Sequence, residues 1–429
     1  MSFPPLTFEG GFFVKVIRPI CCGMDVHKDI IVATIATTNQ DGLAEYKQRQ
    51  FNSQNYSLYE LKTWLKENNC FDVAMESTGK YWIPIFNVLE DEIEVCVVHP
   101  KYTKAIKGKK TDKKDSKWIA DLFRHDLIKS SFIPPKEIRQ LRELSRYRIK
   151  LIGMRSSERL RYQNAMTVSN IGLASVLTDP FGKSATAIMK EAMNSNTIDE
   201  EKIKSLLQKS AKKKTEAVLK SLEGSHIETD QKLKMNIAMS HMEELDKHIE
   251  EVEFEMAKRC IPYAPLIACL IKIPGISYLA AMTIIAEIGI DMTQFETDKQ
   301  LSCWAGLAPA NNESANKKKS VRVSKAGSYI KPLLVQCALS AIKSNSEPYY
   351  RIKYTNIKKR RGHKKAIIAI ARMMLVASYH ILLTGEVFNP SDLEEIHKPK
   401  TSKNKLTAES ALAFLQAQGY DVSAINLTV

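Results

Sequence analysis

The stretch "ICCGMDVHKDIIVATIA", residues 20–36, contains two apolar runs of strand length, separated by the polar segment "HKD". Downstream, the strand-like runs "FDVAME" and "EVCVV" alternate with the helix-like runs "YSLYELKTWLKEN" and "YWIPIFNVLED". Short apolar runs bounded by turn residues indicate strands, and Asn39–Gly42 predicts a turn between the early ones. Leading strands followed by alternating helix and strand predict an α/β domain, and the pattern suits a ribonuclease-H-like sheet.

Helical patterns dominate the rest of the chain. Pro134 and Pro135 interrupt the chain and predict the end of the first domain. A heptad seam follows, in which Met235, Met242, Ile249 and Met256 alternate with Ala238, Leu245 and Val252. This spacing predicts a coiled coil, formed either within one chain or between chains. We divide the chain into an α/β domain (1–133), an all-α arm with the coiled coil (134–262), a mainly helical C-terminal domain (263–390) and a polar tail (391–429).

Composition points to a nucleic-acid partner. The chain has 429 residues, with 63 Lys and Arg against 48 Asp and Glu, a net charge of +15. This balance favours a polyanionic partner over a small metabolite. The eight cysteines include no Cys-x-x-Cys pair, which fits reduced thiols in the cytoplasm better than a zinc site. The start "MSFPPLTFEGG" lacks a signal-peptide pattern, and the apolar run Ala366–Leu383 contains Arg372 and His380. We expect a soluble, nucleoid-associated protein with no membrane span.

Two basic segments are candidates for phosphate contact. A long helical pattern after Pro135 is rich in arginine, and "KKRRGHKK" (358–365) precedes the last apolar helix. Either run could be an ordinary solvated surface, but we predict contact with a nucleic-acid backbone. The candidate residues are Arg142, Arg146, Arg155, Arg159, Lys358, Lys359, Arg360 and Arg361. In "IKIPGISYLAAMTIIAEIG" (271–289), Pro274 and Gly275 separate two apolar helical runs, which is typical of a helix-hairpin-helix or of a turn inside a core.

Four carboxylates form a candidate metal site. Asp25 and Glu76 each stand where an apolar strand stops, so they can face each other across a sheet edge. Asp112 and Asp115 lie three positions apart in "KTDKKDS", a spacing that places both on one helix face. Carboxylate oxygens suit Mg²⁺ or Mn²⁺, and two such ions can assist phosphodiester displacement. The lysines around the pair, Lys109, Lys110, Lys113 and Lys114, would bind the strand being cut.

The chain resembles the insertion-sequence-110 family of transposases, which is related to the Piv and MooV DNA invertases. The resemblance rests on motifs spread along most of the chain: "GMDVHKD", "MESTGKYW", "KTDKKDS", "GLASVLTDPFGKSATAIM", "IPGISYLAAMTIIAEIG" and "FETDKQLSCWAGLAPANNESANKKKSVRVSKAG". It implies a RuvC-like N-terminal domain with the acidic tetrad Asp25, Glu76, Asp112 and Asp115, a coiled-coil connector, and a C-terminal domain with a nucleophilic serine. Some relatives are directed by a noncoding guide RNA.

The flanking motifs "GLAP" and "VSKAG" align the family's serine with Ser314, and Ser320 and Ser324 are alternatives. Relatives usually have glycine after this serine, whereas this chain has Ala315 and Asn316. The leading hypothesis is a transposase or site-specific recombinase that acts on DNA as a dimer or tetramer. One alternative is a RuvC-like nuclease or junction resolvase that activates water and forms no covalent link. The other is a nucleic-acid-binding protein without catalytic activity.

Overall fold

The computed structural model describes residues 15–40, 42–99, 112–128, 130–194, 199–309, 312–314, 317–320, 322–393 and 416. At 112, 113, 312–314 and 317–320 it describes the backbone alone. The chain divides into two compact units, Met1–Pro134 and Pro135–Val429.

A mixed sheet forms the centre of the N-terminal unit. Its strands are β1 (Ile20–Val26), β2 (Ile30–Thr38), β3 (Ala44–Asn52), β4 (Asp72–Glu76) and β5 (Glu94–Val98), in the order β3-β2-β1-β4-β5. The first three strands pair antiparallel, whereas β4 runs parallel to both β1 and β5. The helices are α1 (Asn55–Glu67), α2 (Trp82–Leu89) and α3 (Asp112–Arg124). The prediction of an N-terminal α/β domain is therefore confirmed.

Side chains of β1 alternate between the two faces of the sheet, as a strand requires. Cys22 and Met24 join the core that includes residues of α1 and α2, while Cys21 joins the smaller core on the side of α3. Gly23 faces α3 so closely that an added Cβ would lie 2.3 Å from the backbone nitrogen of Ala120. Glycine at this position therefore lets the helix lie directly on the central strand.

Two long helices, α4 (Lys136–Val168) and α9 (Thr229–Arg259), pack against each other in the C-terminal unit. Arg148 pairs with Glu253, and Glu158 pairs with His241 further along α4, so the helices run antiparallel. The residues of the heptad seam are buried, except for Val252, which is half-buried. The seam thus packs within one chain, and its supercoiling remains a prediction.

A small helical subdomain lies between these helices in sequence. It contains α5 (Leu173–Val176), α6 (Lys183–Asn194), α7 (Glu200–Leu206), the 3₁₀ helix Lys209–Lys214 and α8 (Thr215–Lys220). Its buried residues, among them Leu173, Ile188 and Val218, share a core with Tyr162 of α4 and Met235 of α9. The subdomain is therefore anchored to the two long helices.

The remaining helices build the C-terminal core. They are α10 (Ala264–Leu270), α11 (Tyr278–Ile288), α12 (Asp298–Trp304), α13 (Ile330–Ala341), α14 (Tyr349–Arg361) and α15 (His363–Thr384), with a hairpin of β6 (Asn312–Ser314) and β7 (Lys317–Ser320) between α12 and α13. α15 is long and apolar enough to cross a membrane by length and composition alone. Of the most apolar 18-residue stretch of this helix, 56% is buried inside the protein. Ile370 and Met374 of α15 belong to the hydrophobic core.

Candidate catalytic carboxylates and serine hairpin

Asp25 and Glu76 occupy neighbouring positions on two parallel strands. β1 pairs with β4 through Gly23 with Ala74 and Met24 with Met75, so the next step along both strands brings Asp25 beside Glu76. Both lie two residues beyond a position that faces α3, which places them on that same face. Since neighbouring strands are about 4.8 Å apart, the structure brings these two predicted residues together.

The surroundings of the two carboxylates differ in their hydrogen-bonding groups. Asp25 is 7% exposed, and its Oδ2 lies 3.3 Å from His27 Nε2. Glu76 is half-buried, and its Oε1 accepts a hydrogen bond of 3.4 Å from the hydroxyl of Thr78. His27 and Thr78 were not predicted from the sequence, although each lies two residues after its carboxylate.

α3 runs antiparallel to β1, and this direction brings its first turn towards Asp25. Cys21 lies opposite Ala120, whereas Gly23 lies close to both Ala120 and Ser116. Two further residues of β1 span about 6.6 Å and four further residues of helix about 6 Å. By these dimensions, the first turn of α3, residues 112–116, is level with Asp25. The side chain of Asp112 lies outside the described atoms, and Asp115 is half-buried.

A buried polar cluster fixes this part of α3 on the sheet. The hydroxyls of Ser116 and Thr34 are 2.8 Å apart, and both residues are almost fully buried. Gln48 Nε2 donates to Thr34 Oγ1 at 2.7 Å and to Ser116 Oγ at 3.2 Å. Buried hydroxyls need such partners, so the cluster sets the position of α3 one turn after Asp112. The sequence signal is a single polar residue, Thr34, inside the apolar run "IIVATIA".

The donor types suit a hard cation, because Asp25 and Glu76 carry carboxylates at adjacent positions of two paired strands. Among the side chains that the structure describes, no three His, Cys, Asp or Glu are grouped closely enough to hold a metal ion. The prediction for Asp112 falls on a side chain outside that set. Lys109 and Lys110 lie outside the described residues, as does the side chain of Lys113, and Lys114 is exposed.

Ser314 is the last residue of β6, where it pairs with Lys317 of β7. A bridge between Pro309 and Val323 closes the base of this hairpin. Below it, an added Cβ at Gly327 would lie 2.1 Å from the carbonyl oxygen of Ala305, and both Gly327 and Gly306 have a positive φ. These glycines explain the motifs "AGLAP" and "SKAG", because only glycine permits such a backbone approach.

The alternative serines differ in what the structure describes. The side chains of Ser314 and Ser320 lie outside the described atoms. Ser324 is exposed, and its hydroxyl accepts a hydrogen bond from the backbone nitrogen of Ala326 at 3.3 Å. Its carbonyl accepts another from Lys331 Nζ at 2.7 Å. These contacts give Ser324 a role in the turn, and the choice of nucleophile remains a prediction.

The turn at Pro274 and Gly275 packs against α13. Gly275 has φ +90°, and an added Cβ would lie 2.5 Å from the carbonyl oxygen of Cys337. Pro274 is buried. Core packing alone accounts for this glycine, which favours a core turn over a phosphate-binding hairpin.

The α4 arginines, predicted to contact phosphate, make extensive contacts within the protein. Arg142 donates to the carbonyl oxygens of Ala286 and Glu287, both at 2.9 Å, and burial lowers the pKa of Arg142. Arg146 donates to both carboxylate oxygens of Glu287, at 2.8 and 2.9 Å, and these hydrogen bonds raise the pKa of Arg146. Arg155 pairs with Asp246.

These contacts give Arg142, Arg146 and Arg155 a structural role, so phosphate contact at them remains a prediction. Arg159 is exposed and lies 4.9 Å from the ring centre of Phe181. Lys358, Lys359, Arg360 and Arg361 are also exposed, at the end of α14, where Gly362 adopts φ +81° before α15. Exposed cations in the last turn of a helix retain the access that a phosphate backbone requires.

Two family models match the chain, and together they span more than half of it. Residues 22–170 match the model named DEDD_Tnp_IS110, described as "Transposase", which covers the four predicted carboxylates. Residues 267–354 match the model described as "Transposase IS116/IS110/IS902 family", which covers Ser314.

Two curated relatives are similar over shorter stretches. The "Transposase for insertion sequence element IS1111A" of Coxiella burnetii is 29% identical over 120 residues, which are 27% of this chain and 33% of that protein. The "Putative transposase y4qE" of Sinorhizobium fredii is 34% identical over 76 residues, 18% of this chain and 19% of that protein. The matched stretches thus span at most a third of either relative.

Proposed function

Since the chain belongs to the insertion-sequence-110 family of transposases, we propose that it is a DNA transposase or site-specific recombinase that cuts and rejoins DNA at an insertion sequence. The observation that carries this proposal is the placement of Asp25 beside Glu76, level with the first turn of α3. Such a concentration of acids on a sheet face would repel a phosphate backbone, so it favours catalysis over simple binding.

We also propose the finer assignments of architecture. The strand order β3-β2-β1-β4-β5, with three antiparallel strands followed by two parallel ones, supports a ribonuclease-H-like, RuvC-like fold for the N-terminal unit. The antiparallel packing of α4 on α9 through a heptad seam supports a coiled-coil arm.

In the proposed reaction, the hydroxyl oxygen of Ser314 attacks the phosphorus of a DNA phosphodiester. A serine Oγ–P bond forms and the bond from phosphorus to the leaving deoxyribose oxygen breaks. The serine hydroxyl gives up its proton to solvent, and the leaving oxygen takes up one proton from solvent, so the step is balanced. The DNA end stays attached to the protein, so the energy of the phosphodiester is conserved and a new DNA hydroxyl can reverse the step.

Asp25, Glu76, Asp112 and Asp115 would hold Mg²⁺ or Mn²⁺. Bound there, the cation supplies stabilisation for charge on the attacking and leaving oxygens. The hydrogen-bonded cluster of Thr34, Gln48 and Ser116 would hold α3 in the position that brings its acids to the strand edge.

The proposed partners are DNA, a noncoding guide RNA and further copies of the chain. Lys358, Lys359, Arg360 and Arg361 are the exposed candidates for phosphate contact. Joining two pairs of DNA ends requires several strand transfers, so we propose a dimer that becomes a tetramer on DNA. Light scattering that shows only monomers, with and without nucleic acid, would contradict this assembly.

The function is tested by recombination in cells. A plasmid carrying the gene with its native flanking DNA is combined with a target plasmid, the product junctions are sequenced, and RNA that co-purifies with the protein is sequenced in parallel. We expect defined junctions with the natural chain and none with Asp112→Asn. Cut ends without junctions would indicate the nuclease alternative, and DNA binding without either product would indicate the non-catalytic one.

A further inference from the structure

The segment "QKSAKKK", Gln208–Lys214, has no part in the proposed reaction, although it is strongly basic. Its 3₁₀ helix lies beside the start of α6, and a groove of about 380 Å³ separates the two. We call this the lysine groove. Thr178, Asp179, Lys183, Lys209, Ser210 and Lys214 are among the residues that line it.

Both ends of the 3₁₀ helix are tied to other parts of the subdomain. At its start, the backbone nitrogen of Gln208 donates to Ser184 Oγ at 2.9 Å. At its end, Lys214 Nζ donates to the carbonyl oxygen of Val176 at 2.6 Å. The lysines between these two attachments are therefore presented from an anchored backbone.

The lysine side chains on this surface are accessible to a ligand. Lys183, Lys209, Lys212 and Lys213 are exposed, and in the described part of the chain none of them forms an ion pair. Lys209, at the start of the 3₁₀ helix, has φ +46°.

Two acidic residues of the same subdomain, Glu191 and Glu201, pair with lysines outside the groove. Lys202 pairs with Glu191 at 2.7 Å, and Lys204 pairs with Glu201 at 2.7 Å. Asp179 does line the groove, where its Oδ1 accepts a hydrogen bond from the backbone nitrogen of Phe181 at 3.0 Å. The lysines of the groove still exceed this single carboxylate.

We propose that the lysine groove binds the phosphodiester backbone of a nucleic acid. Ammonium groups attract phosphates at any base sequence, and the hydroxyls of Thr178 and Ser210 can donate to phosphate oxygens. The groove would thus be a further nucleic-acid contact, in the small helical subdomain, separate in sequence from Asp25, Glu76 and Ser314. This proposal rests on the proposed function in one respect, the expectation that the protein binds nucleic acid.

The test is the salt dependence of binding by the full-length chain. Lys183→Gln, Lys209→Gln and Lys214→Gln, which change the three lysines that line the groove, are combined. The dissociation constant is measured over a range of salt for a DNA duplex and an RNA hairpin of unrelated sequence. The slope of log K against log salt is negative, and each lost phosphate contact should reduce its magnitude by about 0.7 to 0.9. For the triple variant we expect the magnitude to fall by about 2. The control combines Lys150→Gln, Lys247→Gln and Lys258→Gln on the exposed surfaces of α4 and α9.

A slope of smaller magnitude with DNA alone identifies DNA as the partner of the groove, and a slope of smaller magnitude with RNA alone identifies RNA. Unchanged slopes with both probes, or an equal fall in the control, would overturn the proposal. If the triple variant fails to fold by its melting curve, the pair Lys183→Gln and Lys209→Gln tests the groove with fewer changes. Because no cleavage is measured, unchanged slopes would leave the proposed recombination standing. A chain that fails to recombine DNA could still bind nucleic acid in the groove, and the slopes would show this binding.

Discussion

The carboxylate edge of the N-terminal unit and the serine hairpin of the C-terminal unit hold their candidate catalytic residues in different ways. Asp25 lies on a strand that pairs on both sides, and α3 packs on the same face. Ser314 lies on a three-residue strand that pairs with β7, above a base closed by Pro309 and Val323. The first position depends on a buried core, whereas the second depends on a short hairpin.

The two regions therefore differ in how closely the position of the catalytic residue depends on the stability of the packed core. At the carboxylate edge, a change that displaces α3 disturbs the packed core and the acid site together. At the hairpin, the position of Ser314 depends on the backbone pairing of β6 with β7, and a change of the serine side chain leaves those backbone groups in the chain. Variants of the two regions should therefore differ in whether lost activity is accompanied by lost stability.

The largest effect is expected from Asp25→Asn. The amide keeps the size of the carboxylate but removes its charge and much of its affinity for a divalent cation. We expect strand exchange to fall by about 10³-fold or more, since electrostatic groups at reacting centres contribute on this scale. Nucleic-acid binding should be largely kept, and EDTA should abolish the activity of the natural chain.

Asp29→Asn is the matched control, because Asp29 is an exposed residue in the turn after β1. Recombination assays on both variants check the prediction. Full activity of Asp25→Asn, or activity that is insensitive to EDTA, would remove the carboxylate edge from the mechanism.

Gly23→Ala should disrupt the close packing of α3 on β1. The added Cβ would meet the backbone of α3, which cannot move without disturbing its core. We expect a loss of about 3 kcal/mol in the free energy of unfolding, at the upper end of overpacking effects. The measurement is chemical denaturation of the full-length chain.

The contrasting variant is Gly153→Ala, in the middle of α4, where no atom lies within 4 Å of the added Cβ. There alanine should stabilise the helix by roughly 0.5 to 1 kcal/mol. Similar effects of the two substitutions would show that the close approach at Gly23 is not needed.

Ser116→Ala should have the smallest effect on stability and still affect the acid site. Removing the hydroxyl leaves Gln48 bonded to Thr34, so we expect a loss of about 1 kcal/mol. If the cluster positions α3, the affinity for Mn²⁺ should fall roughly 10-fold, as for other groups that orient ligands. Titration calorimetry measures this affinity without any reaction.

Ser378→Ala is the control for Ser116, because it also removes a buried hydroxyl, one that donates to the carbonyl of Met374 within α15. This variant should lose similar stability and keep its affinity for Mn²⁺. Equal Mn²⁺ affinity in both variants would reduce the cluster to ordinary core packing.

Local patterns in the sequence predict the α/β order of the N-terminal unit and place Asp25 and Glu76 at strand ends. Their side-by-side register requires the pairing of β1 with β4, which depends on burial of the whole sheet and not on either motif. The contact at Gly23 is equally non-local, because its partners lie on α3.

The basic helix α4 shows the same limit for charged residues. Its arginines appear in the sequence as an exposed basic surface, but Glu287 stands 141 positions after Arg146 and occupies its guanidinium. The sequence signal for this ion pair is Glu287, a lone acid inside the apolar run "TIIAEIG". The run Lys358–Arg361, by contrast, is exposed as a local pattern predicts, because it forms the last turn of α14.

The most direct test of the serine mechanism is the covalent bond between protein and DNA. The full-length chain is incubated with DNA from the ends of its element, in the presence of the RNA that co-purifies with it and Mg²⁺, and the products are separated on denaturing gels. We predict a protein–DNA adduct that peptide mapping places on Ser314, that Ser314→Ala loses with unchanged stability, and that Ser320→Ala and Ser324→Ala retain. An adduct that survives in Ser314→Ala and disappears in one of the other two would contradict the choice of residue, and cut strands released without an adduct in any variant would contradict the serine mechanism itself.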